Sequence, residues 1–204
     1  MITTVDVETT FDVDDENKIT SSPFNGNNLV SVGYKIDDNP VEYLCFYHRD
    51  EPPTPNAQKI LQNVLDKTDV LIGHNIKFDF SWLVQCGFTY NKKLHDTMVM
   101  EYIMARGIKW GFSLEDCCKR KGVALKKSEL IQPFMKNRVS YERIPWTIVD
   151  EYGRQDVEST YQLAIAQLSK FKINFESFSE ISLFFERSKQ LEQIPHRFEL
   201  VSSK

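Results

Sequence analysis

The chain opens on a run, Met1 to Thr10, with one favoured conformation and one awkward feature. Ile2, Val5, Val7 and four threonines make it rich in β-branched residues, which favours a strand. Side chains two apart on a strand share a face, so Asp6 and Glu8 project together. Two carboxylates held that close repel each other, and burying them is costly, so a strand suited to a sheet interior needs a counter-charge beside them. A divalent cation supplies one. An edge strand that leaves both acids in water removes the need, and the pair taken alone favours that plainer reading. The rest of the chain decides between the two.

With 204 residues and 41% hydrophobic content, there is enough apolar material for one substantial core, and a single α/β domain is expected. No apolar run approaches the roughly 18 residues of a membrane span, and the N-terminus lacks a charged-then-apolar signal pattern, so a soluble, intracellular (cytoplasmic) protein without membrane contact is expected. Cys45, Cys86, Cys117 and Cys118 show no Cys-x-x-Cys spacing and read as reduced core or helix cysteines rather than a zinc site. A net charge of −4 argues against holding nucleic acid by a large basic surface. It leaves room for an enzyme that reaches nucleic acid through bound metal ions, which bring the positive charge themselves.

Residues 11–28 are acidic and rich in Asn, Asp and Ser, and read as a loop. The runs 29–36 and 41–48, joined by Asp37-Asp38-Asn39-Pro40, read as an antiparallel hairpin, and Ile60, Leu61, Val64 and Leu65 form the buried stripe of a helix over about 56–67. A short apolar strand, 69–73, then turns through His74 and Asn75 into an amphipathic helix, with Asn75 the expected N-cap. Such a turn sets the first helical residues at the strand's carboxyl end, where ligands of α/β sheets bind. Asp79 lies in that first turn, four residues after Asn75, so the two are expected to face the same way. An Asp near a helix N-terminus also simply favours the macrodipole.

Residues 94–97 read as a strand entering a helix whose methionines are core, and Ser113 with Asp116 makes a capping-box-like start to the next helix. Lys119, Arg120 and Lys121 at its end, with Lys126 and Lys127 just beyond, are either phosphate contacts or a solvated helix terminus. Residues 129–142 show no clear period, and Pro133 suggests broken helical pieces. The last long helix runs from about Pro145 to Phe171, with Val149, Gly153, Val157, Tyr161, Ala164, Leu168 and Phe171 as its buried stripe. Asp156 borders that stripe and Tyr152 lies four positions earlier on the same flank, where a cleft would be lined. A further apolar pattern, Phe175, Phe178, Ile181, Phe184 and Phe185, suggests a helix that packs on the domain or on a partner.

Three segments now share a pattern: Val5-Asp6-Val7-Glu8-Thr9, Gly73 through Asp79, and Tyr152 through Asp156. In order, spacing and local structure they resemble the three exonuclease motifs of the DEDD group in the DnaQ-like superfamily. The tyrosine in the third places the resemblance in the DEDDy branch, with the proofreading exonuclease domains of family A DNA polymerases. It covers about residues 1–172, the expected exonuclease domain, with 173–204 as a C-terminal helix and tail.

The resemblance implies a ribonuclease H-like α/β fold, a mixed central sheet flanked by helices, and two divalent ions, Mg²⁺ or Mn²⁺. By this resemblance Asp6, Glu8 and Asp156 would hold one ion, Asp6 would bridge to a second, Asp79 would act on the second partly through water, and Tyr152 would orient the attacking water. Hard oxygen ligands suit those ions, and a pair of them can activate water and stabilise a leaving 3′ oxygen. Thr9 and Asn75 would touch the terminal nucleotide, and Phe11 or a residue of 129–135 would wedge against the last base. The implied activity is stepwise removal of nucleotides from single-stranded or frayed DNA 3′ ends. Family A polymerases continue into a polymerase domain where this sequence stops at Lys204, so the expectation is a stand-alone exonuclease or the exonuclease of a split replicase that proofreads for a separately encoded polymerase. A ribonuclease D-like RNA exonuclease carries the same five residues, and a non-catalytic nucleic-acid or replisome-binding module is the reading from another class.

Overall fold

The computed structural model describes residues 1–16, 18–123 and 128–170, so the apolar pattern from Phe175 to Phe185 lies outside the described residues. By compactness the chain divides into Met1–Gln167 and Leu168–Lys204, and the architecture below is that of the first unit. At its centre is β1 (Ile2–Thr9), the strand the opening residues predict. Two short strands, β2 (Asp12–Val13) and β3 (Ile19–Thr20), form a separate antiparallel hairpin inside the segment read as loop. Its base is closed by the Thr10 N–H donating to the Asn28 carbonyl at 2.8 Å.

The main sheet adds β4 (Leu29–Ile36), β5 (Glu42–Cys45), β6 (Val70–Gly73) and β7 (Lys93–Asp96), in the order β5-β4-β1-β6-β7. The turn-rich link at Asp37–Pro40 does give an antiparallel β4–β5 pair, and β4 pairs antiparallel with β1. β1, β6 and β7 run parallel, which requires helical crossovers. These are α1 (Ala57–Lys67) and α2 (Ile76–Gln85). Val5 and Val7 on one face of β1 share a core with Leu61 and Leu65 of α1 and with Trp82 and Leu83 of α2. The opposite face, carrying Asp6 and Glu8, is the one that must be covered differently. The sheet is mixed and flanked by helices, as a ribonuclease H-like fold requires.

The remaining helices are α3 (Thr97–Ala105), α4 (Leu114–Lys121), α5 (Ser128–Lys136) and α6 (Trp146–Lys170), with a 3₁₀ turn at Tyr141–Arg143. Ser113 caps α4 as expected: its Oγ accepts from the Asp116 N–H at 3.2 Å. Residues 129–142 do form separate helical pieces, α5 and the 3₁₀ turn, but Pro133 lies inside α5 rather than breaking it. α6 begins one residue after Pro145, whose carbonyl accepts the first helical N–H bonds from Ile148 and Val149. Its stripe is buried as expected from Val149 to Ala164, and Phe171 lies outside the described residues.

α3 differs from the periodicity reading. Tyr102 and Ile103 are 67% and 63% exposed, its methionines are half-buried, and the inward positions are Thr97, Glu101 and Ala105. The reason is tertiary. Glu101 is fully buried and draws Arg120 (3.3 Å) and Lys121 (3.0 Å) from α4, while Gln167 of α6 donates to it at 3.1 Å. Burial alone would push that carboxyl up; the Gln167 and Lys121 hydrogen bonds and the neighbouring cations outweigh it and hold the group below its usual value. Lys126 and Lys127 lie outside the described residues, whereas Arg120 and Lys121, although partly solvent-exposed, are not free for phosphate. These two neutralise a buried acid. No helix among the described residues is long and apolar enough to cross a membrane, and Cys45, Cys86, Cys117 and Cys118 are all free thiols.

Candidate active site

Asp6 and Glu8 leave the same face of β1, and Asp156 of α6 comes down onto that face. One oxygen from each carboxylate lies within 4.8 Å of the other two. Glu8 and Asp156 are buried and Asp6 is half-buried. The solvated-edge reading of the acid pair is thus excluded: β1 is the central strand, with partners on both sides.

Two glycines let α6 approach so closely. Gly33 on β4 lies in register opposite Asp6, and a Cβ there would stand 2.7 Å from Val157 Cγ2 and 2.9 Å from the Tyr43 ring. A Cβ on Gly153 would stand 2.0 Å from the Tyr43 hydroxyl and 2.4 Å from its ring. Gly153 sits directly after Tyr152 and three residues before Asp156, so the missing side chain sets the height of both over the sheet. Tyr43 is itself fixed, because its hydroxyl is 2.9 Å from Ser31 Oγ, and Ser31 pairs with Glu8 across the strands.

Three phenols surround the carboxylates. Burial first, then the charges of Glu8 and Asp6, pushes Tyr43 well above its usual range, against a smaller opposing hydrogen bond from Ser31. Tyr152 is raised by burial and by its neighbours Tyr141, Asp156 and Glu8. Tyr141 is raised by burial, by the charges of Glu8 and Asp156, and by its hydrogen bond to Glu8. All three stay protonated at neutral pH and can act as O–H donors. The Tyr141 and Tyr152 rings lie 6.4 Å apart, tilted by 37°.

Asp79 is buried in the first turn of α2, and its Oδ1 accepts the Val7 N–H at 3.0 Å. It does not belong to the cluster of three but feels it: burial, then the charge of Asp6, raises its pKa well above that of an ordinary carboxyl. Asn75 occupies the N-cap position of α2 in a left-handed conformation (φ 62°) and makes no side-chain cap. It is exposed while Asp79 is buried, so the two do not face the same way; helical i, i+4 geometry does not extend to a residue lying outside the helix. The turn is held instead by Asp96, whose Oδ1 accepts from the Asn75 N–H at 3.0 Å while capping α3 through Met98 and Val99.

Thr9 is buried, with its hydroxyl 2.6 Å from Ser21 Oγ, just after a register shift in the β1–β4 pairing. Phe11 is 9% exposed, and its N–H donates to Ser140 Oγ at 3.1 Å. Phe134 and Met135 pack with Ile131 in the cluster that contains Tyr152. Sequence reasoning missed Tyr43, Tyr141 and the role of Gly153. The only local signal was a glycine inside a helical stripe, a position that asks for a packing reason.

The whole arrangement is a buried, oxygen-rich acid cluster roofed by phenols, with donor chemistry suited to a hard divalent cation. A model of the 3′-5′ exonuclease family matches residues 8–170, beginning at the second acid of the β1 pair. Among solved structures the chain is similar to NrnC of Brucella melitensis with bound Mg²⁺, at 15% identity, TM-score 0.54, over 93% of this chain and 84% of that one. It is similar to the same NrnC bound to pGG, at 16% identity, TM-score 0.55, over 84% and 73%. It is also similar to a family B DNA polymerase from the archaeon Pyrobaculum calidifontis, at 20% identity, TM-score 0.58, over 80% of this chain but 24% of that one. No curated protein matches in sequence. At such identities these likenesses speak to the fold, and the family rests on the match over residues 8–170. The chain belongs to the 3′-5′ exonuclease family.

Proposed function

We propose that the protein is a divalent-metal-dependent 3′-5′ exonuclease that shortens DNA from single-stranded or frayed 3′ ends. The observation that carries this reading is the meeting of Asp6, Glu8 and Asp156 within 4.8 Å on the central strand, beside a protonated Tyr152. Mutual repulsion in such a cluster is relieved by a cation, and carboxylate oxygens without Cys or His suit Mg²⁺ or Mn²⁺. Asp6, Glu8 and Asp156 would hold the first ion, and Asp6 with Asp79 the second. Once bound, the ions supply Lewis-acid activation of water and stabilise charge on the leaving 3′ oxygen.

The chain's own residues do the rest. Tyr152 keeps its proton and presents an O–H that orients the attacking water. Asp79, anchored on the Val7 N–H, keeps a fixed position beside Asp6. Asn75, exposed at the α2 entrance, and Thr9 are the contacts for the terminal nucleotide. Phe11, or a side chain of α5, limits how the last base stacks, although Phe11 must move outward to reach it. A frayed end costs less to unstack than a paired one, which is the physical root of a preference for mismatched termini and of a proofreading role for a separate polymerase. An intracellular location, a domain over residues 1–172 and a C-terminal docking segment belong to the same reading.

Matched DNA and RNA single strands, each labelled at the 5′ end and incubated with Mg²⁺, test it. Faster loss of the DNA supports the proposal. Faster loss of the RNA replaces it with an RNA-processing exonuclease, the reading that the likeness to NrnC bound to pGG favours. Binding without cleavage of either strand makes the chain a non-catalytic module.

A further inference from the structure

Tyr141 lies in the 3₁₀ turn before α6, in a stretch where the sequence has no period and no motif. Its hydroxyl hydrogen-bonds the Glu8 carboxylate, and its ring stands 6.4 Å from that of Tyr152. The turn is held on both flanks. Ser140 Oγ accepts the Phe11 N–H at 3.1 Å, which ties the turn to the end of β1 just past Glu8. On the other side, His48 Nε2 donates to the carbonyl of Ile144 at 2.9 Å, and the His48 ring lies 5.2 Å from Trp146. Ile144 is fully buried and Ser140 nearly so. Trp146 in turn packs 5.7 Å from Tyr43. A segment clamped at both ends and bearing one hydroxyl against one site carboxylate is built to place that hydroxyl.

We propose that Tyr141 is a positioning residue: its phenol O–H, carried on the clamped 140–146 turn, donates to Glu8 and fixes the orientation in which Glu8 faces Asp6 and Asp156. A glutamate has one more rotatable bond than an aspartate, and Glu8 is the only glutamate of the three carboxylates. It therefore loses most when unsupported. Hydrogen-bond partners behind metal ligands govern affinity, and their removal costs about 10- to 100-fold in metal binding or activity. The inference rests on the proposed metal site and adds a residue that the three motifs do not contain.

The test compares the full chain with Tyr141→Phe and Tyr141→Leu variants by calorimetric titration with Mn²⁺ in the absence of nucleic acid, alongside thermal unfolding in EDTA. Tyr141→Phe keeps the ring against Tyr152 and removes the hydroxyl. The expected result is Mn²⁺ binding about 10- to 100-fold weaker, with a metal-free melting temperature lowered only by the loss of one hydrogen bond and less than in Tyr141→Leu. Tyr141→Leu is expected to lose the same affinity and also to melt lower. Mn²⁺ affinity of Tyr141→Phe equal to that of the unaltered chain overturns the inference, as does a loss confined to Tyr141→Leu, which assigns the effect to ring packing. An unaltered chain that binds no Mn²⁺ overturns the metal site itself, and the Tyr141 assignment with it.

Discussion

At the scale of single residues, the site depends on one absent side chain as much as on the acids. Replacing Gly153 with Ala sets a methyl 2.0 Å from the hydroxyl of Tyr43, which is buried and bonded to Ser31. Neither group has room to retreat, so Gly153→Ala is expected to destabilise the protein by about 1–3 kcal/mol, read by urea unfolding. Its nuclease rate per folded molecule should fall as well, because Tyr152 and Asp156 are lifted with the helix. Asp79 carries a second prediction, with a definite sign. Burial and the charge of Asp6 raise its pKa in the folded state, so ionising it costs stability. That cost is absent below the unfolded-state pKa of about 3.9 and grows as pH rises through the folded-state value. In EDTA, Asp79→Asn should therefore gain stability over the unaltered protein at pH 7.5 and gain less at pH 5, since asparagine retains an oxygen for the Val7 N–H. Thermal unfolding at the two pH values reads the difference; an equal effect at both would contradict the raised pKa.

Among elements, legibility follows how local each signal is. Asp6 and Glu8 could be read because a strand repeats every two residues, and Tyr152 with Asp156 because a helix brings positions four apart together. The stripe from Val149 to Ala164 held for the same reason. α3 did not, because no periodicity announces that Glu101 will be buried against cations from α4 while Tyr102 and Ile103 face outward. Tyr141 was invisible for a related reason: its partner Glu8 is far away in the chain, and its turn is held by residues of two other segments. The α3–α4 junction makes its own prediction. Glu101→Gln leaves Arg120 and Lys121 facing each other without an acid, and both retain some solvent access, so the cost should be about 1–3 kcal/mol, at or below that of breaking a fully buried pair. Urea unfolding should show that loss while the nuclease rate of the folded protein stays unchanged, because Glu101 is not a site residue.

For the whole molecule, the sheet order explains why a site forms where it does. β1 is central, pairs antiparallel on one side and parallel on the other, and gives one face to the apolar core and the other to its acids. α6 closes the acid face, and α2 brings Asp79 to its edge, so three segments far apart in the chain meet at one place. If this meeting point is the metal-dependent exonuclease centre proposed above, a 5′-labelled DNA single strand incubated with Mn²⁺ and the protein, its Asp6→Ala variant, or the protein with EDTA reveals it. The expected result is a ladder of products shortened one nucleotide at a time from the 3′ end, lost in EDTA and reduced about 10²- to 10³-fold by Asp6→Ala, the order of a lost electrostatic catalytic group. Hydrolysis by Asp6→Ala at the unaltered rate would contradict it.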